Sequence, residues 1–257
     1  MISLAGKTAI VTGGSRGIGF ATVKTFLESG ARVALCASRK ETADAALAEL
    51  KAICPDWEVM AITPKLTDRA SVEEAFASVQ ETLGPVDILV NNAGVTSSTK
   101  LGEYTDEELD KVMGINVRAV INCSRAIVNA GMKERGGVIL NTSSMVSLHG
   151  QATGVAYPAS KFAVNGITLS LGKELAPFGI RVCAVAPGVI STDMMRSVPK
   201  DVIDRLAKTI PLQRIGQPED IANTVAWLIQ QPKHVNVNRI EIMPVSQTFG
   251  PQPVYRD

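Results

Sequence analysis

The sequence predicts an α/β fold, a doubly wound parallel sheet of about seven strands with helices on both faces. Short apolar and β-branched runs alternate with longer segments of helical periodicity along the chain. The connections between them are brief, and the chain has neither an internal repeat nor a low-complexity linker. Alternation of this kind is typical of strands that lie parallel in one sheet. We therefore expect residues 1–257 to form a single domain.

Each element has its own signal in the sequence. The strands are short apolar runs, as expected of parallel strands covered on both faces, and they are predicted at Thr8–Val11, Arg32–Cys36, Glu58–Ile62, Ile88–Asn91, Gly137–Thr142, Arg181–Ala186 and Arg239–Met243. The helices follow the spacing of apolar residues and are predicted at Gly17–Ser29, Glu41–Ile53, Arg69–Thr82, Asp106–Met132, Ala156–Ala176 and Pro218–Ile229. Thr105 and Glu108 form a capping-box pattern that marks the start of the fourth helix.

Composition and charge exclude several classes of partner. The 257 residues are 46% hydrophobic, enough to fill a covered sheet, and a formal net charge of +1 gives no general attraction to nucleic acid or an acidic membrane. The two histidines and four cysteines show no ligand-like or paired spacing. The segment MISLAGK is too short for a signal peptide, and no apolar run approaches the ~20 residues that span a bilayer. We expect a cytoplasmic protein without metal, membrane or nucleic-acid partners.

A glycine-rich turn, Thr12–Gly19, joins the first strand to the first helix. Glycines let the backbone approach a pyrophosphate, and the free N–H groups at the start of the helix attract its charge. The spacing TGxxxGxG differs from the GxGxxG of the standard dinucleotide-binding turn. Three other polar segments, Asn91–Gly94, Thr142–Ser144 and Pro187–Thr192, also follow strands directly. Because the carboxyl ends of parallel strands meet at one edge of a sheet, these segments are predicted to form one crevice.

Tyr157 and Lys161 lie four residues apart in the segment YPASK, and on a helix they project from one face. A free tyrosine titrates near pH 10, and a neighbouring ammonium is expected to lower the pKa of Tyr157 by favouring the phenolate. Such a pair can give and take a proton. Ser144, just after the fifth strand, can donate a hydrogen bond to an oxygen that gains negative charge. The pattern therefore predicts acid–base chemistry at a ketone or an alcohol.

These segments, in this order and at these spacings, resemble the short-chain dehydrogenase/reductase family, whose fold is a Rossmann-type sheet. The resemblance runs from Lys7 to about Ile229 and includes Thr12–Gly19, Asn91–Gly94, Asn116, Ser144, Tyr157, Lys161, Pro187, Gly188 and Thr192. Phrases such as TGGSRGIGF, NNAGVTS, GVAYPASK and VAPGVISTDM are similar to bacterial bile-acid 3α-hydroxysteroid dehydrogenases. The sequence is almost as similar to the pattern of 3-oxoacyl-carrier-protein reductases.

The resemblance implies a role for each matching residue. Tyr157 is the acid in ketone reduction and the base in alcohol oxidation, and Ser144 binds the reacting oxygen. Lys161 holds the nicotinamide ribose and lowers the pKa of Tyr157, while Asn116 orders a water that relays protons to Lys161. Residues implied to contact the cofactor are Gly13, Ser15, Arg16, Gly17, Ile18, Gly19, Ser38, Arg39, Leu66, Asn92, Ala93, Gly94, Tyr157, Lys161, Pro187, Gly188, Ile190 and Thr192. Those implied to contact substrate are Ser144, His149, Tyr157, Met194 and Met195.

The end of the second strand indicates which cofactor is used. An acidic residue there binds the ribose 2′-hydroxyl of NAD(H), but the sequence reads Cys36-Ala37-Ser38-Arg39 and has no carboxylate. A serine hydroxyl and an arginine, helped by Arg16, attract a 2′-phosphate through charge-assisted hydrogen bonds. We predict NADP(H). Lys65 stands where the family commonly has an aspartate that accepts from adenine; since a lysine cannot accept, adenine is expected to rest on backbone and Leu66.

The predicted function is an NADP(H)-dependent interconversion of a ketone and a secondary alcohol, with a bile-acid-type hydroxysteroid as substrate. Apolar residues in a substrate lid at about 190–211, Met194 and Met195 among them, favour a flat apolar substrate. A 3-oxoacyl thioester or a 3-hydroxy acid is the alternative, and the C-terminal segment 239–257 resembles that of 3-hydroxy-acid dehydrogenases. A non-catalytic NADP-binding regulator is the alternative from another class. A serine hydrolase pair of Ser144 and His149 is disfavoured because no GxSxG elbow surrounds the serine.

The two long helices predict a symmetric oligomer. Asp106–Met132 and Ala156–Ala176 carry apolar residues on more than one face. One face of each covers the sheet, and the other would be an exposed apolar patch on a monomer, which is typical of an association site. In the family that the chain resembles, these helices form a four-helix contact across a two-fold axis. We predict a homotetramer, with a dimer as the alternative.

Overall fold

A computed structural model describes residues 3–152, 154–193, 210 and 214–243. Seven parallel strands form one sheet in the order β3-β2-β1-β4-β5-β6-β7. They span Thr8–Thr12 (β1), Arg32–Cys36 (β2), Val59–Ile62 (β3), Ile88–Asn91 (β4), Gly137–Thr142 (β5), Ile180–Pro187 (β6) and Ile240–Ile242 (β7). The strand order reverses between β1 and β4, which confirms the predicted doubly wound α/β fold. Met194, Met195, most of the predicted lid and residues 244–257 lie outside the described residues.

The helices lie on both faces of this sheet. They span Gly17–Glu28 (α1), Lys40–Ile53 (α2), Arg69–Leu83 (α3), Asp106–Met113 (α4), Ala119–Ile127 (α5), Lys133–Arg135 (α6), Val146–His149 (α7), Ala156–Leu175 (α8) and Pro218–Ile229 (α9). One apolar layer joins the strands to α1, α2 and α9 and contains Phe26, Leu50 and Val225. The other joins them to α3, α5 and α8 and contains Phe76 and Ile127. Because the strands are parallel, their carboxyl ends lie at one edge of the sheet, and the site is at this edge.

The predicted helix Asp106–Met132 is present over most of its length, but it is interrupted twice. A π-helical turn at Gly114–Arg118 separates α4 from α5, and a second one at Val128–Met132 follows α5. In the second, Gly131 has φ 99°, a conformation that glycine adopts without strain. A π turn changes the hydrogen bonding over only about five residues, which is shorter than the window of roughly 11–18 residues over which helical periodicity is recognised, so the pattern does not detect it.

The predicted capping box at α4 is only half formed. The hydroxyl of Thr105 accepts a hydrogen bond from the backbone N–H of Glu108 at 3.2 Å. The Glu108 carboxylate instead accepts hydrogen bonds from the hydroxyls of Ser97 and Thr99, both at 2.7 Å. The Glu108 carboxylate therefore bonds to hydroxyls of the preceding loop and not, as the capping-box pattern predicts, to the start of its own helix.

Candidate active site

The glycine turn after β1 is joined to the neighbouring strand β4. The hydroxyl of Thr12 accepts hydrogen bonds from the backbone N–H groups of Asn92 at 2.9 Å and Ala93 at 3.0 Å. The side-chain amide of Asn92 donates in return to the carbonyls of Thr12 at 3.1 Å and Gly13 at 3.3 Å. Two of the predicted cofactor segments are therefore one connected structure at the point where the strand order reverses.

The backbone of this turn excludes side chains from the space in front of α1. Gly13 has φ 64°, and a Cβ at Gly19 would lie 2.1 Å from the carbonyl oxygen of Gly13. The residue before α1, Arg16, makes no side-chain capping bond, and the first turn has no acidic residue. The free N–H groups of α1 are thus available to an anion. This geometry fits the pyrophosphate of a dinucleotide.

The ends of β2 and β3 present cations and no carboxylate beside the glycine turn. The backbone N–H of Gly14 donates to the carbonyl of Cys36 at 2.9 Å, so the turn lies against the end of β2. Ser38 and Arg39 follow and are exposed, as is Arg16. Lys65 is also exposed, and the carbonyl of Leu66 accepts from the Asn122 side chain at 3.0 Å.

Lys161 is enclosed at the centre of the site. Only 5% of its surface is exposed, and its Nζ donates to the carbonyl of Thr142, at the end of β5, at 2.7 Å. The same Nζ lies 5.8 Å from the ring centre of Tyr157. A Cβ at Gly94 would lie 3.6 Å from it. The start of α8 therefore brings the tyrosine and lysine against the segments that follow β4 and β5.

Burial changes the pKa of both groups in the pair. Desolvation lowers the pKa of Lys161 from 10.5 to about 8. Desolvation also raises the pKa of Tyr157, and a hydrogen bond with Ser144 opposes that rise. The pKa of Tyr157 therefore lies above its ordinary value in the protein without cofactor, and the lowering expected from Lys161 stays a prediction. The lysine, by contrast, titrates near neutral pH.

Asn116 lies in the π turn between α4 and α5 and is 1% exposed. Its Oδ1 accepts from the backbone N–H of Val95, and its Nδ2 donates to the carbonyl of Val95, both at 2.9 Å. Nδ2 also donates to the hydroxyl of Ser160 at 2.9 Å, and that hydroxyl donates to the carbonyl of Tyr157 at 2.7 Å. The asparagine thus joins the segment after β4 to the helix that carries the tyrosine. Irregular π turns of this kind are frequent at functional sites.

Ser144 and the short helix α7 complete the carboxyl edge at β5. Ser144 is buried, and its hydroxyl accepts weakly from the backbone N–H of Val146 at 3.4 Å. The neighbouring Ser143 has a different role, because its hydroxyl donates to the side chain of Asn165 in α8 at 2.7 Å. His149 ends α7 and is exposed.

The segment after β6 closes the crevice from the other side. The backbone N–H of Met145 donates to the carbonyl of Pro187 at 3.0 Å, and the N–H of Gly188 donates to Ile242 at 2.8 Å. Ile190 pairs with Gly216 in an isolated parallel bridge. A Cβ at Gly17 would lie 3.2 Å from Cγ2 of Thr192, so this segment reaches the glycine turn.

The structure thus gathers the predicted segments at one edge of the sheet. Gly13 and Gly19 of the glycine turn lie against Asn92 and Ala93. Lys161 donates to Thr142, and Tyr157 is hydrogen-bonded to Ser144. Sequence reasoning missed Val95 and Ser160, the partners of Asn116. Ser160 lies within the YPASK segment, so a polar residue on the inner face of a helix was the available signal.

The described parts of the chain contain neither a membrane-spanning helix nor a cluster of metal-ligating side chains. No helix among the residues that the structure covers combines the length and the apolar character needed to cross a membrane. Within those same ranges there is no group of three or more His, Cys, Asp or Glu side chains that could hold a metal ion.

A glycine turn suited to a pyrophosphate and a pair of half-buried Tyr157 and buried Lys161 at the edge of a parallel sheet define a dinucleotide-dependent oxidoreductase. Comparisons with known proteins agree. The chain matches the family model for the short chain dehydrogenase over residues 7–203. It therefore belongs to the short-chain dehydrogenase family, whose members use a nicotinamide cofactor, and it is an enzyme that acts on CH–OH groups.

Relatives and solved structures match most of the chain. A 3alpha-hydroxysteroid dehydrogenase of Mediterraneibacter gnavus is 54% identical over 225 residues, which cover 88% of this chain and 90% of the relative. A 3-oxoacyl-(acyl-carrier-protein) reductase of Staphylococcus epidermidis is 39% identical over 223 residues, or 86% of this chain and 91% of the relative. The crystal structure of an actinorhodin polyketide ketoreductase variant with NADPH has a TM-score of 0.89 and 32% identity, covering 94% of this chain and 97% of that one. The family that the sequence motifs predict is confirmed.

Proposed function

We propose that this protein is an NADP(H)-dependent hydroxysteroid dehydrogenase that interconverts a keto and a hydroxyl group on a bile-acid-type steroid. The observation that carries the proposal is the set formed by half-buried Tyr157 with the buried residues Ser144, Lys161 and Asn116. This set lies in a chain 54% identical to a 3alpha-hydroxysteroid dehydrogenase. The alternative substrate, a 3-oxoacyl thioester, is supported by lower identity, 39% to a 3-oxoacyl-carrier-protein reductase.

Tyr157 is the proposed proton donor in ketone reduction and the acceptor in alcohol oxidation. Bound nicotinamide supplies or accepts the hydride. As the carbonyl carbon is reduced, its oxygen gains negative charge, and the hydroxyls of Ser144 and Tyr157 donate hydrogen bonds to it. The Tyr157 proton then passes to that oxygen, which leaves a phenolate. Because burial disfavours the phenolate, a nearby cation is needed to stabilise it.

Lys161 is proposed to be that cation and to supply the proton that Tyr157 has lost. With a pKa of about 8, it is mostly protonated at neutral pH and can still lose a proton at low cost. Its Nζ and the Oδ1 of Asn116 both lie close to Gly94, where a Cβ would be 3.6 Å from the first and 3.4 Å from the second. Both N–H groups of the Asn116 amide are used within the protein. Any relay water at Asn116 would therefore bind to an acceptor oxygen, either Oδ1 or a carbonyl freed by the π turn.

The preference for NADP(H) is proposed from the groups beside the glycine turn. Ser38 and Arg39 follow β2 where an acid would repel a 2′-phosphate, and Arg16 and Lys65 are exposed in the adjoining segments. The solved ketoreductase structure with NADPH supports this preference by similarity. Leu66 remains the proposed contact for the adenine face, since Lys65 offers no acceptor.

An apolar substrate is supported by the side chains on the segments that flank the site. Leu101 is 74% exposed and Val155 is 52% exposed, although both are large apolar residues. Leu101 follows the segment after β4, and Val155 directly precedes the helix that carries Tyr157. A steroid that covers such residues removes apolar surface from water, which stabilises the complex.

The proposal is tested by comparing kcat/KM for three classes of substrate. Purified protein is assayed with NADPH or NADH and a 3-keto bile acid, an acetoacetyl thioester, or, in the oxidative direction, a 3-hydroxy acid with the oxidised cofactor. We expect the highest kcat/KM with the keto bile acid and NADPH. A higher value for the thioester or the 3-hydroxy acid would reject the steroid assignment, and a preference for NADH would reject the cofactor assignment.

We also propose that the enzyme is a homotetramer that works in the cytoplasm as a single-domain chain. A groove of about 570 Å³ lies between α5 and α8 and is lined in part by Ile121, Val128, Ile167 and Leu171. Ile121, Phe162 and Leu169 on these helices are large, apolar and nearly half exposed. An uncovered apolar face of this kind supports association through α5 and α8. The four free cysteines support a reducing compartment.

A further inference from the structure

The segment that follows Gly94 is fixed to the protein at two places. At its beginning, both backbone polar groups of Val95 are bonded to the side chain of Asn116. Further along, the hydroxyls of Ser97 and Thr99 both donate to the same oxygen, Oε1 of Glu108 in α4. The first attachment belongs to the proposed catalytic set, and the second has no role in the chemistry described so far.

Ser97 is the central residue of the second attachment. It is only 7% exposed. Its hydroxyl donates to Glu108 and accepts from the hydroxyl of Tyr104 at 2.5 Å and from the backbone N–H of Thr99 at 3.3 Å. We call Ser97, Thr99, Tyr104 and Glu108 the Glu108 cluster. Its hydrogen bonds close the segment after β4 into a compact loop, and the one carboxylate accepts from two hydroxyls.

This loop also contacts the segment between Ser144 and Tyr157. The side-chain amide of Gln151 donates to the carbonyl of Ser97 at 3.0 Å and to the carbonyl of Gly154 at 3.1 Å. A Cβ at Gly154 would lie 2.9 Å from the same carbonyl of Ser97. The loop, which carries the exposed Leu101, therefore lies against the segment that carries the exposed Val155 and leads into α8.

The neighbouring carboxylates of α4 do not share this arrangement. Asp106, Glu107 and Glu108 all lie in the first turn of the helix. Hydrogen bonds from Thr99 and Ser97 lower the pKa of Glu108. The pKa of Glu107 is also lowered, but by its own backbone and by Thr105. Glu107 therefore has the same place in the helix dipole as Glu108 and no bond to the loop, which makes it a matched control.

We propose that Glu108 is a positioning residue. It fixes the substrate-side wall of the active site, formed by residues 95–104, 150–152 and 154–155, which faces the part of the substrate remote from its carbonyl. The proposal rests on the proposed function in that the wall faces a steroid. Glu108 acts through the loop and touches neither the reacting oxygen nor the cofactor. Its loss should therefore weaken binding of a large ketone and leave a small one nearly unaffected.

The test compares Glu108→Gln with Glu107→Gln in steady-state kinetics at saturating NADPH. With a 3-keto bile acid, we expect Glu108→Gln to raise KM about tenfold, the size expected from weakened hydrogen bonds to a charged group, with kcat changed less. A small activated ketone should keep its kcat/KM within about twofold, as should the Kd of NADPH. Glu107→Gln should match the wild type. Equal losses for the large and the small ketone would overturn the proposal.

Hydrogen exchange separates this proposal from the steroid assignment. Amides of residues 95–104 should exchange faster in Glu108→Gln than in Glu107→Gln, whatever the substrate, because the loop loses its charged acceptor. Thr99→Val removes one donor and should produce a smaller change in the same amides, which keeps the test usable if Glu108→Gln folds poorly. Unchanged exchange in both variants would reject the wall-fixing role. Failure of the wild type to reduce any keto steroid would reject the proposed function alone.

Discussion

At the scale of single residues, Lys161 combines burial with a proposed role in proton transfer. Its ammonium loses water on folding and gains one carbonyl partner, Thr142. One hydrogen bond does not replace the hydration of a charge, so the neutral amine is favoured and the pKa falls to about 8. A lysine with a lowered pKa suits the proposed role, because a group that must release a proton does so more easily when its pKa is close to the working pH.

The shifted pKa of Lys161 predicts a pH dependence of stability in the protein without cofactor. Between about pH 8 and 10.5 the unfolded chain binds more protons at this lysine than the folded chain, so stability rises with pH there and the penalty is fully present below pH 8. Relative to Lys161→Met, the wild-type free energy of unfolding should rise by up to ~3 kcal/mol across this window. Urea denaturation of both proteins from pH 7 to 10 measures the difference, and parallel curves would contradict it.

Replacing Tyr157 by phenylalanine tests the proton-transfer role. The phenol is the proposed acid, so Tyr157→Phe should lower kcat by roughly 10²–10⁴-fold, the usual contribution of general acid–base catalysis. The Kd of NADPH should change little, because the ring and its packing are kept. Stopped-flow reduction of a poorly activated ketone gives the rate, and fluorescence titration gives the affinity. A variant that retains more than a tenth of the wild-type rate would reject Tyr157 as the acid.

Cofactor choice can be tested at Arg39. Arg39→Ala should weaken NADPH binding by about 1.5–3 kcal/mol, the scale of a hydrogen bond to a charged group, and leave NADH binding nearly unchanged. Lys40→Ala is the matched control, because Lys40 is an adjacent exposed cation that is already paired with Asp44 at 2.7 Å. Titration with both cofactors decides the matter. Equal losses for NADPH and NADH would show that Arg39 does not read the 2′-phosphate.

At the scale of elements, the connection from β1 to α1 depends on close backbone approach. A Cβ at Gly19 would overlap the carbonyl of Gly13 at 2.1 Å, so α1 would have to move away from the turn. Gly19→Ala should cost about 3 kcal/mol of stability and abolish tight cofactor binding. Gly102→Ala is the control, because a Cβ there meets nothing within 4 Å. Thermal unfolding with and without NADPH gives the Tm of both variants. Equal Tm values for Gly19→Ala and Gly102→Ala would show that a Cβ at position 19 is accommodated.

Elements whose signal is local could be predicted from the sequence, and those that depend on tertiary contacts could not. Apolar runs located all seven strands to within about a residue at each end, because a parallel strand that is covered on both faces consists mainly of apolar residues. The π turn that contains Asn116 escaped detection, since it is shorter than the window over which helical periodicity is recognised. Glu108 was assigned to a capping box on local spacing, but hydroxyls from a distant loop bind its carboxylate. The raised pKa of Tyr157 likewise could not be predicted, because burial is a property of the fold.

At the scale of the whole molecule, the groove between α5 and α8 predicts assembly. Both helices already cover the sheet with one face, and the second faces expose Ile121 and Phe162. Two such faces brought together across a two-fold axis would remove this surface from water in both copies. The sequence indicated the surplus apolar residues, but not the groove, whose shape depends on the packing of the two helices.

The assembly is tested with two isoleucines of nearly equal exposure. Ile121 in α5 is 45% exposed and lines the groove, whereas Ile53 at the end of α2 is 49% exposed and lies outside it. Ile121→Glu places a charge in the proposed contact and should shift the protein towards monomers or dimers, because burying an unpaired charge is costly. Ile53→Glu should keep the wild-type assembly. Light scattering at micromolar concentration should give the wild type four times the chain mass of 27.2 kDa. A wild-type mass equal to one chain would refute the tetramer and the dimer alike, and an Ile121→Glu tetramer would place the contact elsewhere.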